Sequence, residues 1–515
     1  MDALRELVSI TDREVVLSLL RKHLSLDSGP SKLERLYLLI EGDLLDIDED
    51  KIIYELYGDS RNHSAYKRLK DRLWLVLVNS VSILLGSSIK FSSYDEVFAN
   101  GYKLLGIVKS LVAIKKYMPA RSIAEWTFKR IKDYEIVALN AEFSDTLALL
   151  YLGAGYDQKK CRKYIELQEY YSQARYEEAR LVNGLASVRS LFYANQSSVE
   201  LADVSKEFAD RSLTTVNKYP LVSRIQICYA LLRSFSNIWR KTYFLGLQEI
   251  ERAQAALKKC KGVSRNNSDF LDLVSLECTV YLRDFEKGKE KVLIAKSNLS
   301  GTLINKIKVY ELSIRLGLVT KQYDYSLNEY LNCNFKYIKS ALGEVFIQYW
   351  RILEAFVHLL VVTKQVEPAE DLPKLRPFRL NRFLNSIQNY EKNKHGLYVQ
   401  VLILQMMFLI ARREYNKVMD RVEGFDRFRR RYLKEKREFR NNCFYRLILK
   451  AVDANFNRVA AERMGKPILE KMINSPELEH REISDIEWIP YEDLWEILLG
   501  TLDSKRRVRA AKRSA

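Results

Sequence analysis

Two groups of basic residues have the types and spacing to hold phosphate or another anion. In the first, Arg61, Asn62 and Ser64 precede a helix-like run whose inward stripe is Tyr66, Leu69, Leu73 and Val76, while Lys67 and Lys70 project from other faces. Arg61 would then stand at the amino-terminal end of that helix, from which recognition helices reach base edges and phosphates. The second group, Arg427–Arg440, holds eight basic residues against Glu435 and Glu438. Phe425, Phe428, Tyr432, Phe439 and Cys443 recur at helical spacing as a buried stripe. That places Arg427, Arg430, Arg431, Lys434 and Arg437 on an adjoining stripe and predicts one continuous cationic face. Such a face neutralises phosphates with an affinity that falls as salt rises. The competing expectation pairs these charges with acids of the next helix, each pair contributing about 0–1 kcal/mol. Looser clusters occupy Lys374–Arg382 and the tail from Lys505 to Arg513.

Spacings that carry covalent or metal chemistry are missing. Gly153-Ala154-Gly155 lacks the third glycine and the preceding strand of a dinucleotide loop, and no Walker, H-E-x-x-H or G-x-S-x-G sequence occurs. The five histidines are scattered, and His358 in EAFVHLLVV reads as a core residue. Six cysteines lie 18 or more residues apart, which writes neither a zinc site nor a disulfide framework. The expectation is a chain with no catalytic, metal or cofactor-binding residue, and hence not an enzyme.

The elements that position these residues are helices. Glycine and proline number 19 and 9 in 515 residues, too few for a turn-dense β fold, and a hydrophobic fraction of 47% excludes wholesale disorder. Apolar residues recur every three or four positions, so an all-α fold is predicted. Lys32–Ile40, Glu49–Tyr57 closed by Gly58, and Ala65–Leu77 or longer give a helix-turn-helix grammar. Against a DNA-reading role stand Asp59, Asp71 and the run Glu41, Asp43, Asp46, Asp48, Glu49 and Asp50. The net charge of +18 favours acidic partners in general.

From about residue 180 the helices come in pairs. Breaks near Gln196, Tyr243, Phe285, Tyr323, Val366, Tyr415 and Phe456 are separated by 47, 42, 38, 43, 49 and 41 residues. Each break runs from a basic or polar residue through an aromatic into charges, as in Arg283-Asp284-Phe285-Glu286-Lys287. A period near 43 suits two stacked helices with their connections, the logic of an α-solenoid. The breaks resemble the turn inside tetratricopeptide-like (TPR-like) repeats. Arg382–Gln405, Asp426–Leu433 and EWIPYEDLWEILL (Glu487–Leu499) together resemble the carboxy-terminal part of an uncharacterised group of bacterial TPR-like proteins. That resemblance implies a cytoplasmic helical-repeat protein and carries over no functional residue.

The expected architecture is an α-α superhelix, a TPR-like solenoid of helix pairs behind an amino-terminal helical, helix-turn-helix-like domain. Residues 1–100 form the cap and 101–365 the repeats. A proline-rich loop fills 366–382, further repeats 383–475, a capping helix 476–504 and a basic tail 505–515. No apolar run reaches the roughly 20 residues of a membrane span, and the first residues do not read as a secretory signal. The expected function is non-catalytic binding of a protein partner, supported by 31 tyrosines suited to interfaces. The alternative is a nucleic-acid-binding regulator that uses the Arg61 or the Arg427 group.

Overall fold

The computed structural model describes residues 4, 7–9, 11–21, 30–42, 49–59, 62–84, 90–153, 156–193, 198–298, 303–333, 344–366, 375, 378–386, 397–433, 438–474 and 487–502. Among them there is no β-strand; the ordered elements are all helices. None is long and apolar enough to cross a membrane. The chain divides into two compact units, Met1–Tyr171 and Ser172–Ala515, and the boundary falls inside one long helix.

In the first unit α1 (Arg13–Arg21) and α2 (Lys32–Gly42) pack on α4 (His63–Leu84), and α3 (Glu49–Tyr57) packs on α2. Asp12 caps α1 by accepting from Glu14 N at 2.8 Å. Gly58 ends α3 at φ 72°, in the left-handed region that glycine reaches without strain. Val16, Leu36, Ile40, Ile53, Tyr66, Leu69, Leu73 and Leu77 form the core. The predicted inward stripe of α4 is therefore in place, with Val76 only partly buried. The hairpin of α5 (Tyr94–Ala113) and α6 (Tyr117–Ile131) follows, then a 3-10 turn (Lys132–Tyr134) and α7 (Val137–Leu152), which packs on both arms of the hairpin. Helix α8 (Gln158–Tyr193) carries the unit boundary.

The second unit continues with α9 (Ser198–Asp210), α10 (Leu213–Lys218) and then helix pairs: α11 (Ser223–Trp239) with α12 (Tyr243–Leu257), α13 (Arg265–Tyr281) with α14 (Phe285–Asn298), and α15 (Leu303–Val319) with α16 (Tyr323–Leu331). After α17 (Glu344–Val362) and the short α18 (Leu380–Asn385) come α19 (Leu397–Ala411) with α20 (Tyr415–Tyr432), and α21 (Phe439–Asp453) with α22 (Arg458–Ile473). First helices pack on the next first helix, α11 on α13, α13 on α15, α17 on α19 and α19 on α21; α12, α14, α16 and α20 each pack on the first helix that follows them. The proline-rich segment is shorter than expected, since Leu380–Arg382 already belong to α18.

One turn recurs. Lys241, Arg283, Lys321, Lys364, Arg413 and Asn455 all have φ between 52° and 63°, as does Lys115 between α5 and α6 in the first unit. In each case the next amide closes back on the helix, as Thr242 N does to Asn237 O at 2.9 Å, Gln322 N to Gly317 O at 2.9 Å and Glu414 N to Leu409 O at 2.9 Å. This is the Schellman closure, with a cation in most copies where glycine is usual. These turns coincide with the aromatic breaks from Tyr243 onward; the break at Gln196 lies outside the described residues.

The last helix, α23 (Tyr491–Thr501), does more than cover a final pair. It packs on α19, α21 and α22, and Trp488 beside it meets Tyr349 and Phe356 of α17 at 6.1 and 5.7 Å between ring centres. Asp493 and Glu496 take Lys321 Nζ at 2.8 and 3.3 Å. One apolar core therefore runs from Ile307 to Leu502.

Candidate functional site

The amino-terminal group is split by its surroundings. Lys67 is exposed, but Lys70 reaches across to Glu49 of α3 at 3.1 Å and lies over the Tyr66 ring. It joins two helices of the helix-turn-helix-like arrangement and is neutralised there. Arg61 lies outside the described residues. Arg68 and Arg72 are exposed on α4 beside Lys67 and share that surface with Trp74 and Leu75.

The carboxy-terminal group departs from the single helix expected of it. Helix α20 stops at Tyr432 and α21 opens at Phe439, with buried Leu433 at the exit, so Arg427–Arg440 is not one continuous face. Both arrangements keep Phe425 and Cys443 buried, which is why the apolar spacing did not separate them. Lys434 and Arg437 lie outside the described residues. On α20, Asp426 accepts from Arg429 Nη2 at 2.7 Å and Arg430 Nη2 at 2.5 Å. Those guanidinium groups hold its carboxyl below the usual range, against the opposing effect of burial. Arg427 and Arg431 are exposed and make no ion pair among the described residues; with Arg430 and the acids Glu423 and Asp426 they line a shallow open depression.

Arg440, counted with the cationic run in the sequence, points inward. Its guanidinium meets Glu487 at 2.6 Å, Glu492 at 2.8 Å and Met472 O at 3.3 Å, which ties α21 to the α23 segment. Beside it Gln400 Nε2 donates to Tyr491 Oη at 2.7 Å, and Tyr491 Oη donates to Asn441 Oδ1. The segment is thus placed by buried polar pairing as well as by Trp488 and Trp495.

A group that the sequence did not single out spans three successive first helices. Glu277 and Tyr281 of α13, Lys308, Glu311 and Arg315 of α15 and Tyr349 of α17 converge. Lys308 Nζ stands 3.7 Å from Glu277 and 3.1 Å from Glu311; Arg315 Nη1 stands 3.9 and 3.2 Å from the same two carboxylates. The Arg315 guanidinium also lies 5.2 Å over the Tyr281 ring. Burial works against the charges of Lys308, Glu311 and Arg315. The opposite charges outweigh it, raising Lys308 and Arg315 and lowering Glu311, so these three remain ionised. Lys308 and Tyr281 keep about a third of their area open, 34% of the side chain and 37% of the residue, and form an accessible rim over the buried Arg315 and largely buried Glu311. The spacing 308, 311 and 315 marks one face of one helix. That three helices 30–40 residues apart share this face is a matter of stacking, which single-helix spacing does not encode.

Residues with chemical potential elsewhere are structural in their surroundings. His358 is buried between Tyr330 and Phe378, and burial, then Arg412, pushes its imidazole down to about 4, so it is neutral at pH 7. Burial pushes the Cys228, Cys278 and Cys333 thiols up to about 12, which leaves them unreactive at neutral pH. Among the described residues no three His, Cys, Asp or Glu side chains gather around a metal-sized position. Of the Gly153–Gly155 motif, Gly153 ends α7, and the next two residues lie outside the described ones. No family model, curated protein or solved structure matches the chain.

Proposed function

We propose that this chain is a non-catalytic, TPR-like α-solenoid scaffold that holds a segment of a protein partner across the first helices of successive pairs. The observation that carries this reading is the repetition of one left-handed turn at 241, 283, 321, 364, 413 and 455. The copies at 241, 283, 321, 413 and 455 each join a first helix to a second helix, the copy at 364 ends α17, and first helices pack on one another from α11 to α15 and from α17 to α21. Repeats built this way expose one helix face per module and add the faces into an extended surface. The face after α17 is taken up by α23 and Trp488. The open part is therefore the α13–α15 face with Glu277, Tyr281 and Lys308, over the buried Arg315. Its pairing of tyrosine with desolvated, fixed charges suits a polypeptide that offers both signs of charge and apolar area.

An affinity capture from lysate, with and without nuclease, tests this. A protein partner that survives nuclease and is lost from a Tyr281→Ala, Lys308→Glu variant supports the scaffold. The second reading, a nucleic-acid-binding regulator, draws on the exposed, unpaired Arg427 and Arg431 and on Lys67. Fluorescence anisotropy at low salt decides it: tight binding abolished by charge reversal at Arg427, Arg430 and Arg431 replaces the scaffold reading, and no binding removes the alternative.

A further inference from the structure

The junction between the 3-10 turn and α7 contains polar atoms without partners. Glu135 sits in the left-handed region at φ 50°. Its Oε1 accepts from Tyr171 Oη at 3.3 Å, while its Oε2 is buried with no partner. Asn140, fully buried on the first turn of α7, donates from Nδ2 to Lys132 O at 3.0 Å, and its Oδ1 is likewise buried and unpartnered. Asn140 also lies close enough to Tyr171 to act on its phenol. Glu135 and Asn140 thus meet at one phenol, each with an acceptor that lacks a donor. Turning the Asn140 amide over repairs nothing, because Nδ2 is committed to Lys132 O. Ser144, one turn further along the same face, also has a buried hydroxyl without a partner.

A proton on Glu135 turns one of these unpartnered acceptors into a donor. We propose that Glu135 and Asn140 form a proton-operated joint, closed when the carboxylic acid bridges to the amide and loosened when the proton leaves. Apart from the Tyr171 hydroxyl, the neighbouring groups do not favour the anion. Asp133 on the 3-10 turn repels it, and Lys132 is turned to Asp133 at 3.9 Å. From α8 it meets the phenol of Tyr171, with Tyr170 beside that ring. The α5 cation Lys109 is held by Glu142 and Asp145, and the α6 cation Arg130 lies over Trp126. Burial and then Asp133 lift the carboxyl to about 6, against the opposing hydrogen bond from Tyr171. Because this acid binds its proton more tightly folded than unfolded, stability is gained as pH falls from above 6 to below about 4.5 and lost as pH rises.

Hydrogen exchange of the full chain, read on peptides spanning residues 130–147 and corrected for intrinsic rates, tests the joint. Opening is expected to be roughly 8-fold rarer at pH 5 than at pH 7.5. Glu135→Gln, whose amide can donate in place of the acid, should be protected at both pH values with no such ratio. Equal wild-type protection at the two pH values, or the same ratio in the Gln variant, overturns the proposal. So does extra protection at pH 7.5 in sodium or potassium chloride over tetramethylammonium chloride, which would give the site to a metal ion. The wild-type profile decides even where the variant does not fold.

Discussion

Gly465 on α22 is where the last helix gains its close fit. A Cβ there would stand 2.8 Å from Trp495 Cζ2 and 3.1 Å from Leu447 Cδ2, inside contact distance of two buried side chains. Gly424 on α20 and Gly106 on α5 are the opposite case, mid-helix positions whose Cβ would meet open space. Glycine at such exposed sites costs roughly 0.5–1 kcal/mol relative to alanine through unfolded-chain entropy. Gly465→Ala should therefore destabilise the chain by about 1–3 kcal/mol through overpacking, and Gly424→Ala should stabilise it by about 0.5–1 kcal/mol. Denaturant unfolding of the two variants against the parent, with unchanged slope, checks both signs. Nothing in the sequence separates these glycines: each lies in a helical pattern, and only the neighbour 30 residues away distinguishes Gly465. Arg440 is illegible for the same reason, because its partner Glu487 is 47 residues distant.

The pairing of helices was readable because the second helices α12, α14, α16 and α20 open on an aromatic, and three of these rings pack against an aromatic of the next pair. Tyr243 stacks on Tyr281 at 4.4 Å, Phe285 meets Tyr325 at 5.2 Å and Tyr415 stacks on Phe456 at 4.0 Å. The left-handed residue one or two positions earlier was not readable, since the usual signal, glycine, is replaced by lysine or arginine. A cation at the carboxy-terminal end of a helix gains about 0.3–1 kcal/mol from the helix dipole, which offsets much of the left-handed cost. The basic run failed differently. The positions 425, 428, 432, 439 and 443 fit an unbroken helix and a broken one equally well, and burial of Leu433 favours the break. If dipole and backbone costs nearly cancel at these turns, Arg283→Gly should change stability by less than about 0.5 kcal/mol. Arg283→Val, β-branched and poorly suited to positive φ, should cost about 1–3 kcal/mol. A thermal-unfolding series over these two variants tests the balance, and equal losses would show that the side chain matters for something other than backbone geometry.

At the scale of the whole molecule the two units carry buried titratable groups of opposite sign. Glu135 in the first is raised, whereas His358 in the second lies among Tyr330, Phe378 and the core that continues to Leu502. That core is one cooperative block because α23 threads α17, α19, α21 and α22 together, so a group buried at α17 reports on the entire block. The imidazole takes a proton far more readily unfolded, at about 6.5, than folded, at about 4. Stability from keeping it neutral is fully present above pH 6.5 and is lost as pH falls towards 4, at most about 3 kcal/mol. Peptides from residues 347–366 and 398–411 should therefore lose exchange protection together between pH 6.5 and 4.5, while those around Glu135 gain it over the same interval. His358→Phe, which keeps an aromatic ring between Tyr330 and Phe378 without a titrating group, should flatten the first trend and leave the second untouched. A variant in which both trends persist would place the acid sensitivity of this block on its carboxylates instead.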